Sequence, residues 1–319
     1  MSILSVSDLL ERRQKSLALT LVAGEEGLSR EITNSDISSP GLVLAGFTDR
    51  YPRRRMQVLG ETEVMYLRSL DEESRRSVLE SFMGGELPVV FVTKGLDLPP
   101  ELLALAEERS IPVIMSSLKT GEFYRRIKPF LEEEFAPSTA IHGSLADVYG
   151  VGLLFVGSSG IGKSECVLDL VERGHRLVAD DVVLVRRRGF DVLIGQAHEH
   201  QQHHMEIRGI GIIDVRALFG VRAVRQQKRI EVVVQLEHWS DAANYDRTGL
   251  QRDTTEILGV EIPRMVIPLN PGKNITVISE VVAMDHLLRY AGVDSARLFE
   301  QNLRLLMRPV KDYLEEDYE

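Results

Sequence analysis

The segment Gly157-Ser158-Ser159-Gly160-Ile161-Gly162-Lys163-Ser164 matches the pattern G-x-x-x-x-G-K-[ST] at every fixed position. The glycines of this pattern let backbone N–H groups turn toward phosphate oxygens, and the next helix adds partial positive charge. We expect Lys163 to reach the β and γ phosphates of a nucleotide and the Ser164 hydroxyl to bind Mg²⁺. The apolar run LLFV precedes the loop and the helical pattern ECVLDLVERG follows it. Strand, loop and helix are therefore in the order that nucleotide binding requires.

Two adjacent carboxylates, Asp180 and Asp181, end the apolar run RLVA, one helix after the loop. A strand can hold such a pair beside the phosphates, one near the metal and one near an attacking hydroxyl. An Asp pair at a strand end is also a turn signal, but its position after the lysine loop favours catalysis. The chain has no N-K-x-D element for reading guanine, which argues against a GTPase switch.

The histidine-rich segment AHEHQQHHME has two interpretations. Zinc binding is one, although the segment offers few of the carboxylate or thiolate ligands that would complete a closed zinc site. A polar loop that covers the active site is the other. The histidines concerned are His198, His200, His203 and His204.

Residues 1–135 alternate short apolar runs with helical periodicity, which predicts a small parallel α/β domain. Asp71 is expected to cap the helix DEESRRSVLESFM, and Pro99 and Pro100 to begin the helix PPELLALAEERS. No catalytic motif stands out in this half, so we interpret it as a scaffold or regulatory domain. Its β-like runs are Glu63–Leu67, Pro88–Thr93 and Pro112–Met115.

The pattern changes after the amphipathic stretch FYRRIKPFLEEEFAP, which places a domain boundary near residue 136. Runs of β-branched residues predict a strand-rich α/β domain over residues 136–319. Helices are expected after Gly162 and near both ends of VVAMDHLLRYAGVDSARLFEQNLRLLMR. The β-branched runs include AIHGSLADVYG, VGLLFVG, HRLVADDVVLVRRR, FDVLIGQ, IEVVVQLE, MVIPL and NITVI.

Composition excludes several classes of protein. Of the 319 residues, 44% are hydrophobic and 27% are charged, as in folded globular proteins and unlike disordered, collagen-like or coiled-coil chains. Forty-eight acidic and 38 basic residues give a net charge of −10. This is the wrong sign for coating nucleic acid, so we expect no nucleic-acid partner.

The single cysteine, Cys166, cannot form an intramolecular disulfide, which fits a reducing compartment. The N-terminus lacks the basic and then apolar pattern of a signal peptide. The longest apolar stretch, 151–156, is far shorter than the roughly 20 residues that span a bilayer. We expect a soluble cytoplasmic protein that does not enter the membrane.

Several longer segments resemble a known family. They are IHG at 141–143, the loop GSSGIGKSE, the segment RGHRLVADD, and MEIRGIGIIDV. From Ser138 to about Arg308 the chain resembles the bacterial HPr kinase/phosphorylase family, and SDISSPGLVLAGF and VLGETEV extend the resemblance into the first half. The signature residues are Met205, Glu206, Ile207, Arg208, Gly209, Ile210, Gly211, Ile212, Ile213 and Asp214.

The resemblance implies an enzyme that phosphorylates a regulatory serine of the phosphocarrier protein HPr, with Mg²⁺ and with ATP or pyrophosphate as donor. It also implies phosphorolysis, in which inorganic phosphate attacks phosphoserine and releases pyrophosphate. The implied fold is a small N-terminal α/β domain and a C-terminal P-loop kinase domain resembling phosphoenolpyruvate carboxykinase-type cores. The implied assembly is a homohexamer.

The resemblance also assigns roles to individual residues. It implies that Asp181 takes the serine proton during phosphorylation and returns it during dephosphorylation, with Asp180 as a metal or neighbouring group. Glu206 corresponds to the second Mg²⁺ ligand after Ser164. His142 corresponds to an active-site histidine beside Asp181. Arg247, in NYDRTG, corresponds to an active-site arginine, whose guanidinium suits phosphate charge.

A last segment corresponds to the family element linked to dephosphorylation, and it departs from the common pattern. Many members carry basic residues at the positions of both Asn270 and Lys273, so this chain keeps one positive charge where two are common. We therefore predict weaker phosphorolysis than phosphorylation. The segment comprises Pro268, Leu269, Asn270, Pro271, Gly272 and Lys273.

The leading hypothesis is a protein serine kinase and phosphorylase that acts on HPr. Two alternatives remain at this point: a small-molecule kinase on a similar core, and a nucleotide-sensing regulatory module that binds ATP without useful transfer. A small-molecule kinase would phosphorylate a metabolite in the absence of a protein acceptor. A sensing module would keep its function after substitution of Asp181.

Overall fold

The chain divides into two units after Ala136 in the computed structural model, which describes residues 3–49, 51–198, 201–240, 253–270 and 272–316. Each unit is held by its own clusters of buried apolar side chains. In the described part of the chain, no helix combines the length and the apolar character that crossing a bilayer requires.

The first unit is built on a five-stranded sheet with the strand order β2-β7-β6-β5-β4, in which only β2 is antiparallel to its neighbour. Its strands are β1 Leu4–Ser5, β2 Leu19–Ala23, β3 Glu31–Ile32, β4 Ile37–Ser38, β5 Met56–Leu59, β6 Val90–Val92 and β7 Val113–Ser116. Its helices are α1 Val6–Leu17, α2 Gly41–Leu44, α3 Glu61–Ser69, α4 Glu72–Phe82, α5 Pro100–Glu108 and α6 Thr120–Glu134, with a 3₁₀ turn at Glu25–Ser29.

The central strand of this sheet shows how the core forms. Val90 and Val92 pack into one apolar cluster and Phe91 packs into another, on the opposite face. Helices cover both faces, so a short apolar run is buried on both sides, as expected for parallel strands. The first unit is therefore a layered α/β structure, as the sequence predicts.

Most local predictions in this unit are confirmed, and one is wrong. The runs at 88–93 and 112–115 contain β6 and β7, Asp71 caps α4, and Pro100 begins α5. The run Glu63–Leu67 is helical and belongs to α3. The Glu63 side chain accepts a 2.9 Å hydrogen bond from the Gly60 N–H, which caps the helix start, and Val64 and Leu67 share its buried face.

The second unit contains a six-stranded sheet with the order β11-β9-β10-β17-β19-β18 and a four-stranded sheet with the order β16-β13-β12-β8. Its strands are β8 Ser138–His142, β9 Ser144–Val148, β10 Val151–Val156, β11 Arg176–Ala179, β12 Val182–Arg188, β13 Val192–Ala197, β14 His204–Ile207, β15 Gly211–Asp214, β16 Gln227–Arg229, β17 Val232–His238, β18 Asp253–Ile257 and β19 Val260–Leu269. Its helices are α7 Lys163–Glu172, α8 Val215–Phe219, α9 Ile275–Tyr290 and α10 Ser295–Glu316, with a 3₁₀ turn at Val221–Ala223.

The two faces of the six-stranded sheet have different partners. Phe155 of β10 packs with residues of α7 and α9, whereas Leu154 packs with the four-stranded sheet. This arrangement holds β10, and the loop that follows it, between helices and a second sheet.

The run NITVI was expected among the β-branched strand signals, and this expectation is wrong. Asn274 caps α9 by accepting a 3.1 Å hydrogen bond from the Val277 N–H. Thr276 is buried and its hydroxyl donates to Asp169 of α7. Packing against α7 outweighs the strand preference of β-branched residues, which depends on context.

Candidate active site

The carboxyl ends of three parallel strands, β10, β17 and β19, lie at one edge of the six-stranded sheet. Strand β11 runs in the same direction, because β11 and β10 are both antiparallel to β9, which lies between them. In α/β proteins, ligands bind outside the carboxyl ends of such strands. The glycine loop 157–164 follows β10, Asp180 follows β11, and Asn270 follows β19. The topology therefore brings these predicted site segments to one edge.

The glycine loop has the conformation that its glycines permit. Gly157 and Gly160 have φ values of 150° and 76°, and α7 begins at Lys163. A Cβ atom at Gly157 would lie 2.6 Å from the Leu236 carbonyl oxygen. Only glycine fits this close backbone approach, which keeps the loop against β17 and directly before the helix N-terminus.

Lys163 is buried, and its ammonium lies within the loop. Its Nζ atom donates hydrogen bonds of 3.0 Å to the Gly157 and Ser158 carbonyl oxygens. A buried ammonium with only carbonyl partners has charge available for an anion in the same loop.

Asp180 links the loop to the end of β11. Its Oδ1 atom accepts hydrogen bonds of 2.5 Å from the Ser144 hydroxyl and 3.0 Å from the Ser164 hydroxyl. Its Oδ2 atom is buried and has no hydrogen-bond partner among the described residues. Burial raises the pKa of the Asp180 carboxyl, and the two serine hydroxyls oppose that rise.

Asp181 differs from Asp180 in exposure and in backbone conformation. Its φ of 64° lies in the left-handed region, and the Val182 N–H donates a 2.8 Å hydrogen bond to the Asp180 carbonyl across it. This tight turn directs the two neighbouring carboxylates into different environments. Non-glycine residues in this region carry strain that is common at functional sites.

His142 lies beside Asp181, with 3.2 Å between His142 Nδ1 and Asp181 Oδ1. The pairing of β8 with β12 sets His142 opposite Val182 and so brings together two residues from distant parts of the chain. Both side chains are about half exposed. The pair can therefore meet a substrate from solvent while His142 restricts the orientation of the carboxylate.

The signature residues form a hairpin of β14 and β15 next to the loop. Met205 and Ile207 are buried in the core that contains α7, whereas Glu206 and Arg208 are exposed. A backbone N–H of Glu206 also faces the Asp180 carboxyl and lowers its pKa. The alternation of the strand thus anchors the hairpin and presents polar side chains on its other face.

The oxygen donors here fit the Mg²⁺ that the family resemblance implies. Mg²⁺ prefers hydroxyl, carboxylate and phosphate oxygens and usually takes only one or two carboxylates from a protein. The orphaned Asp180 Oδ2 next to the Ser164 hydroxyl meets that preference. Within the described ranges, no cluster of three or more His, Cys, Asp or Glu side chains could hold a metal by itself.

Comparison with known proteins decides the family. The description "HPr Serine kinase N terminus" matches residues 4–131, and "HPr Serine kinase C-terminal domain" matches residues 133–303. The chain belongs to the HPr kinase/phosphorylase family.

Curated relatives agree with this assignment over most of their length. The HPr kinase/phosphorylase of Bacillus licheniformis is 47% identical over 285 residues, covering 89% of this chain and 92% of the relative. That of Bacillus subtilis is 46% identical with the same coverage. Among solved structures, the Hpr(Ser) kinase/phosphatase from Coxiella burnetii is 33% identical, with a TM-score of 0.46 over 50% of this chain and 98% of that chain.

The segment for which the resemblance predicts a role in dephosphorylation spans the end of β19. Lys273 Nζ donates a 2.8 Å hydrogen bond to the Pro268 carbonyl, and the Lys273 N–H donates one of 3.1 Å to the Asn270 carbonyl. These bonds fold the segment back on itself directly before α9. Pro271 lies outside the described residues.

Two further sequence hypotheses fall partly or wholly outside the described residues. Arg247, the arginine implied by the family resemblance, lies outside them, and so does His200. The role of Arg247 stays a prediction.

Sequence reasoning missed one member of the site, Ser144. Its side chain is buried and donates to Asp180. The sequence offered one signal for it: Ser144 directly follows the I-H-G run, which is part of the resemblance to the HPr kinase/phosphorylase family. A serine at the start of a strand has no local pattern that reveals a carboxylate partner from another strand.

Proposed function

We propose that this chain transfers the γ phosphoryl group of ATP to a regulatory serine of an HPr phosphocarrier protein and removes it by phosphorolysis. Membership of the HPr kinase/phosphorylase family supports the substrate and both directions. The observation that carries the chemistry is the position of Asp181 directly after Asp180. The Asp180 carboxyl accepts a hydrogen bond from the Ser164 hydroxyl of the glycine loop. One carboxylate faces solvent while its neighbour faces the loop.

In the kinase direction, the glycine loop and Lys163 hold the phosphates, and Asp181 takes the proton from the substrate serine hydroxyl. The serine oxygen forms a bond to the γ phosphorus as the bond to ADP breaks. His142 holds the Asp181 carboxylate in position. Mg²⁺, held by Ser164, Asp180 and Glu206, would supply positive charge that stabilises the transferring phosphoryl group.

In the phosphorolysis direction, an oxygen of inorganic phosphate forms a bond to the phosphorus of phosphoserine, and the bond to the serine oxygen breaks. Pyrophosphate leaves, and protonated Asp181 returns the proton to the serine oxygen, as microscopic reversibility requires. Lys273 would contribute positive charge for the entering phosphate. The same reaction run backwards makes pyrophosphate a possible donor in place of ATP.

Exposed apolar residues beside the site support a protein acceptor over a metabolite. Ile210 and Ile212 of the signature hairpin are 73% and 76% exposed. Apolar side chains that remain in solvent next to a catalytic carboxylate suit contact with another protein surface. A small metabolite would not need this surface.

The remaining features of the proposal extend the family assignment. The second domain, 136–319, carries the catalysis on a P-loop kinase core resembling that of phosphoenolpyruvate carboxykinases, and residues 1–135 serve as a scaffold or regulatory domain. The chain assembles as a homohexamer. A cytoplasmic location stays a prediction from the cysteine usage.

Intact-mass spectrometry of HPr incubated with this protein, ATP and Mg²⁺ tests the proposed function. We expect a single phosphoryl mass gain that maps to serine. HPr carrying Ala in place of that serine is the matched control and gains no mass. An unmodified wild-type HPr in the presence of demonstrated ATP binding contradicts the proposal and favours a metabolite acceptor or a sensing role.

A further inference from the structure

A cavity of about 450 Å³ lies in the second unit, at the edge of the six-stranded sheet opposite the candidate active site. Of its lining residues, Arg229 and Glu231 come directly before β17, and Val260 begins β19. The active-site segments instead follow the carboxyl ends of the parallel strands. Strand β17 alone, with seven residues, is about 20 Å long. The cavity is therefore separate from the proposed site of phosphoryl transfer.

The cavity has an apolar floor and two aromatic side chains at its rim. Ile230, Val260 and Ile262 form the floor and are buried. Phe190, in the turn between β12 and β13, and Tyr290, at the end of α9, are 96% and 88% exposed. Aromatic rings that remain in solvent beside a cavity gain free energy when they pack on an apolar ligand. The cavity can therefore hold the apolar part of a small molecule.

Charged side chains of both signs line the same cavity. Arg229, Asp191 and Glu261 are exposed, and none of the three has an ion-pair partner in the described part of the chain. Glu231 differs, because it accepts a 2.7 Å hydrogen bond from Lys228 Nζ. The cavity thus offers one guanidinium and two carboxylates to a ligand.

This combination of charges selects the class of ligand. A phosphorylated metabolite would bring several negative charges toward Asp191 and Glu261, which repel them. A simple cation would meet the guanidinium of Arg229, and a wholly apolar molecule would desolvate all three charges without pairing them. A molecule with a carboxylate, an ammonium and an apolar side chain satisfies the guanidinium, the carboxylates and the floor together.

We infer that this cavity binds a free α-amino acid with an aliphatic or aromatic side chain. The carboxylate of the amino acid accepts paired hydrogen bonds from Arg229, and its ammonium donates to Asp191 or Glu261. The side chain of the amino acid packs on the apolar floor between Phe190 and Tyr290. The volume of the cavity lies within the range of about 300–1,000 Å³ that small-molecule sites have. The inference concerns binding alone and does not depend on the proposed function.

Calorimetry with the full chain tests the inference. The probes are L-phenylalanine and L-leucine, each as the free amino acid, as the amide, which lacks the carboxylate, and as the N-acetyl derivative, which lacks the ammonium. The variants are Arg229→Gln and Phe190→Ala. Arg222→Gln is the matched control, because Arg222 is exposed in the 3₁₀ turn Val221–Ala223 and does not line the cavity. Thermal unfolding checks that the variants are folded.

We expect at least one free amino acid to bind with a Kd of about 1 mM or lower. Its amide and its N-acetyl derivative should each bind about 10-fold more weakly or worse, because each loses one charge-assisted interaction. Arg229→Gln should weaken the free amino acid by about 10-fold and remove its advantage over the amide. Phe190→Ala should weaken it by about 3- to 10-fold, and Arg222→Gln should match the wild type.

Three results would overturn the inference. The first is no binding of either free amino acid up to about 10 mM. The second is binding of an amide or an N-acetyl derivative as tight as that of the free amino acid, which would indicate a cation site or an anion site instead. The third is an unchanged affinity in Arg229→Gln. Neither HPr nor ATP enters the experiment, so its outcome is independent of whether the chain phosphorylates HPr.

Discussion

The Ser164 hydroxyl donates a 3.0 Å hydrogen bond to Asp180 Oδ1 and so joins the glycine loop to the acidic end of β11. The same Asp180 oxygen accepts from Ser144 at the start of β9. Three separate segments of the chain thus meet at one buried carboxylate. The next residue, Asp181, is about half exposed and lies beside His142.

Replacing Ser144 with Ala tests this meeting point. The change removes a hydrogen bond to a buried carboxyl oxygen and should lower the free energy of unfolding by about 1–3 kcal/mol. It also removes a group that lowers the pKa of Asp180, so a higher pH is needed to ionise this carboxyl. The acid limb of the kinase pH profile should therefore move to higher pH. Steady-state rates measured between about pH 5 and pH 8 will detect this change.

Ser295→Ala is the matched control, because Ser295 is exposed at the start of α10. It should change the stability by less than about 0.5 kcal/mol and leave the pH profile in place. Equal changes in stability and in the pH profile for the two substitutions would show that the hydrogen bond from Ser144 to Asp180 has no specific role.

Replacing His142 with Gln tests whether this residue positions Asp181. The 3.2 Å contact between them should be lost, and a carboxylate that samples more orientations reacts more slowly. We expect kcat to fall by about 10- to 100-fold with the affinity for ADP kept. Steady-state phosphorylation of HPr measures the first quantity and calorimetry the second.

His286→Gln controls for the loss of an imidazole. His286 lines a separate cavity of about 450 Å³ with Phe190 and Tyr290, so turnover should match the wild type. Wild-type turnover in His142→Gln would rule out a positioning role.

The sequence predicted the glycine loop well because its chemistry depends on neighbours along the chain. Gly157, Lys163 and Ser164 lie within one strand-loop-helix unit, and the structure has the same order of elements. The contact between His142 and Asp181 has a different origin. It depends on the register of β8 with β12, which no local pattern reveals, so only the family resemblance suggested it.

The wrong predictions have two physical causes. The apolar run from Glu63 looks like a strand, but the capping contact with Gly60 decides for a helix. The run NITVI also looks like a strand, but it begins a helix in which the buried Thr276 hydroxyl donates to Asp169 of α7. The first cause is a contact between neighbouring residues and the second is long-range packing, and alternating or helical periodicity reports neither.

The side chain of Glu280 on α9 accepts from Arg173 and His175 and thereby connects α9 to the end of α7, with distances of 2.6 to 3.1 Å. The hydrogen bonds from Arg173, followed by the one from His175, lower the pKa of Glu280. Glu280→Gln should therefore reduce the free energy of unfolding by about 2–3 kcal/mol at pH 7. Urea unfolding of the two proteins measures this difference.

The pH dependence of that difference has a definite sign. A carboxyl with a lowered pKa stabilises the fold above its ordinary value of about 4.3, and this contribution is lost as the pH falls through the lower, folded value. The gap between wild type and Glu280→Gln should narrow below about pH 4.3. Glu300→Gln, which breaks an exposed pair with Arg304, should cost less than about 0.5 kcal/mol. If the difference in free energy of unfolding between wild type and Glu280→Gln does not change with pH, the lowered pKa of Glu280 is contradicted.

Asn270→Arg tests the weaker phosphorolysis that the sequence predicts. A second positive charge in the segment with Lys273 should lower the KM for inorganic phosphate by about 10-fold, the effect of one charge-assisted hydrogen bond. The rate of phosphorylation with ATP should stay the same. Pyrophosphate release from phosphoserine-HPr at increasing phosphate concentrations measures the change, with Asn302→Arg on the exposed face of α10 as the control. Equal specific rates of the two reactions in the wild type would contradict the prediction.

The most direct measurement is the rate of both reactions in Asp181→Asn, with ATP and HPr in one direction and with phosphate and phosphoserine-HPr in the other. Asn keeps the size of the side chain and tolerates the left-handed backbone at this position, where φ is 64°. If one carboxylate takes the serine proton and returns it, both rates should fall by about 10²- to 10⁴-fold while ADP still binds. A variant that keeps either reaction at the wild-type rate would show that Asp181 is not the shared acid and base.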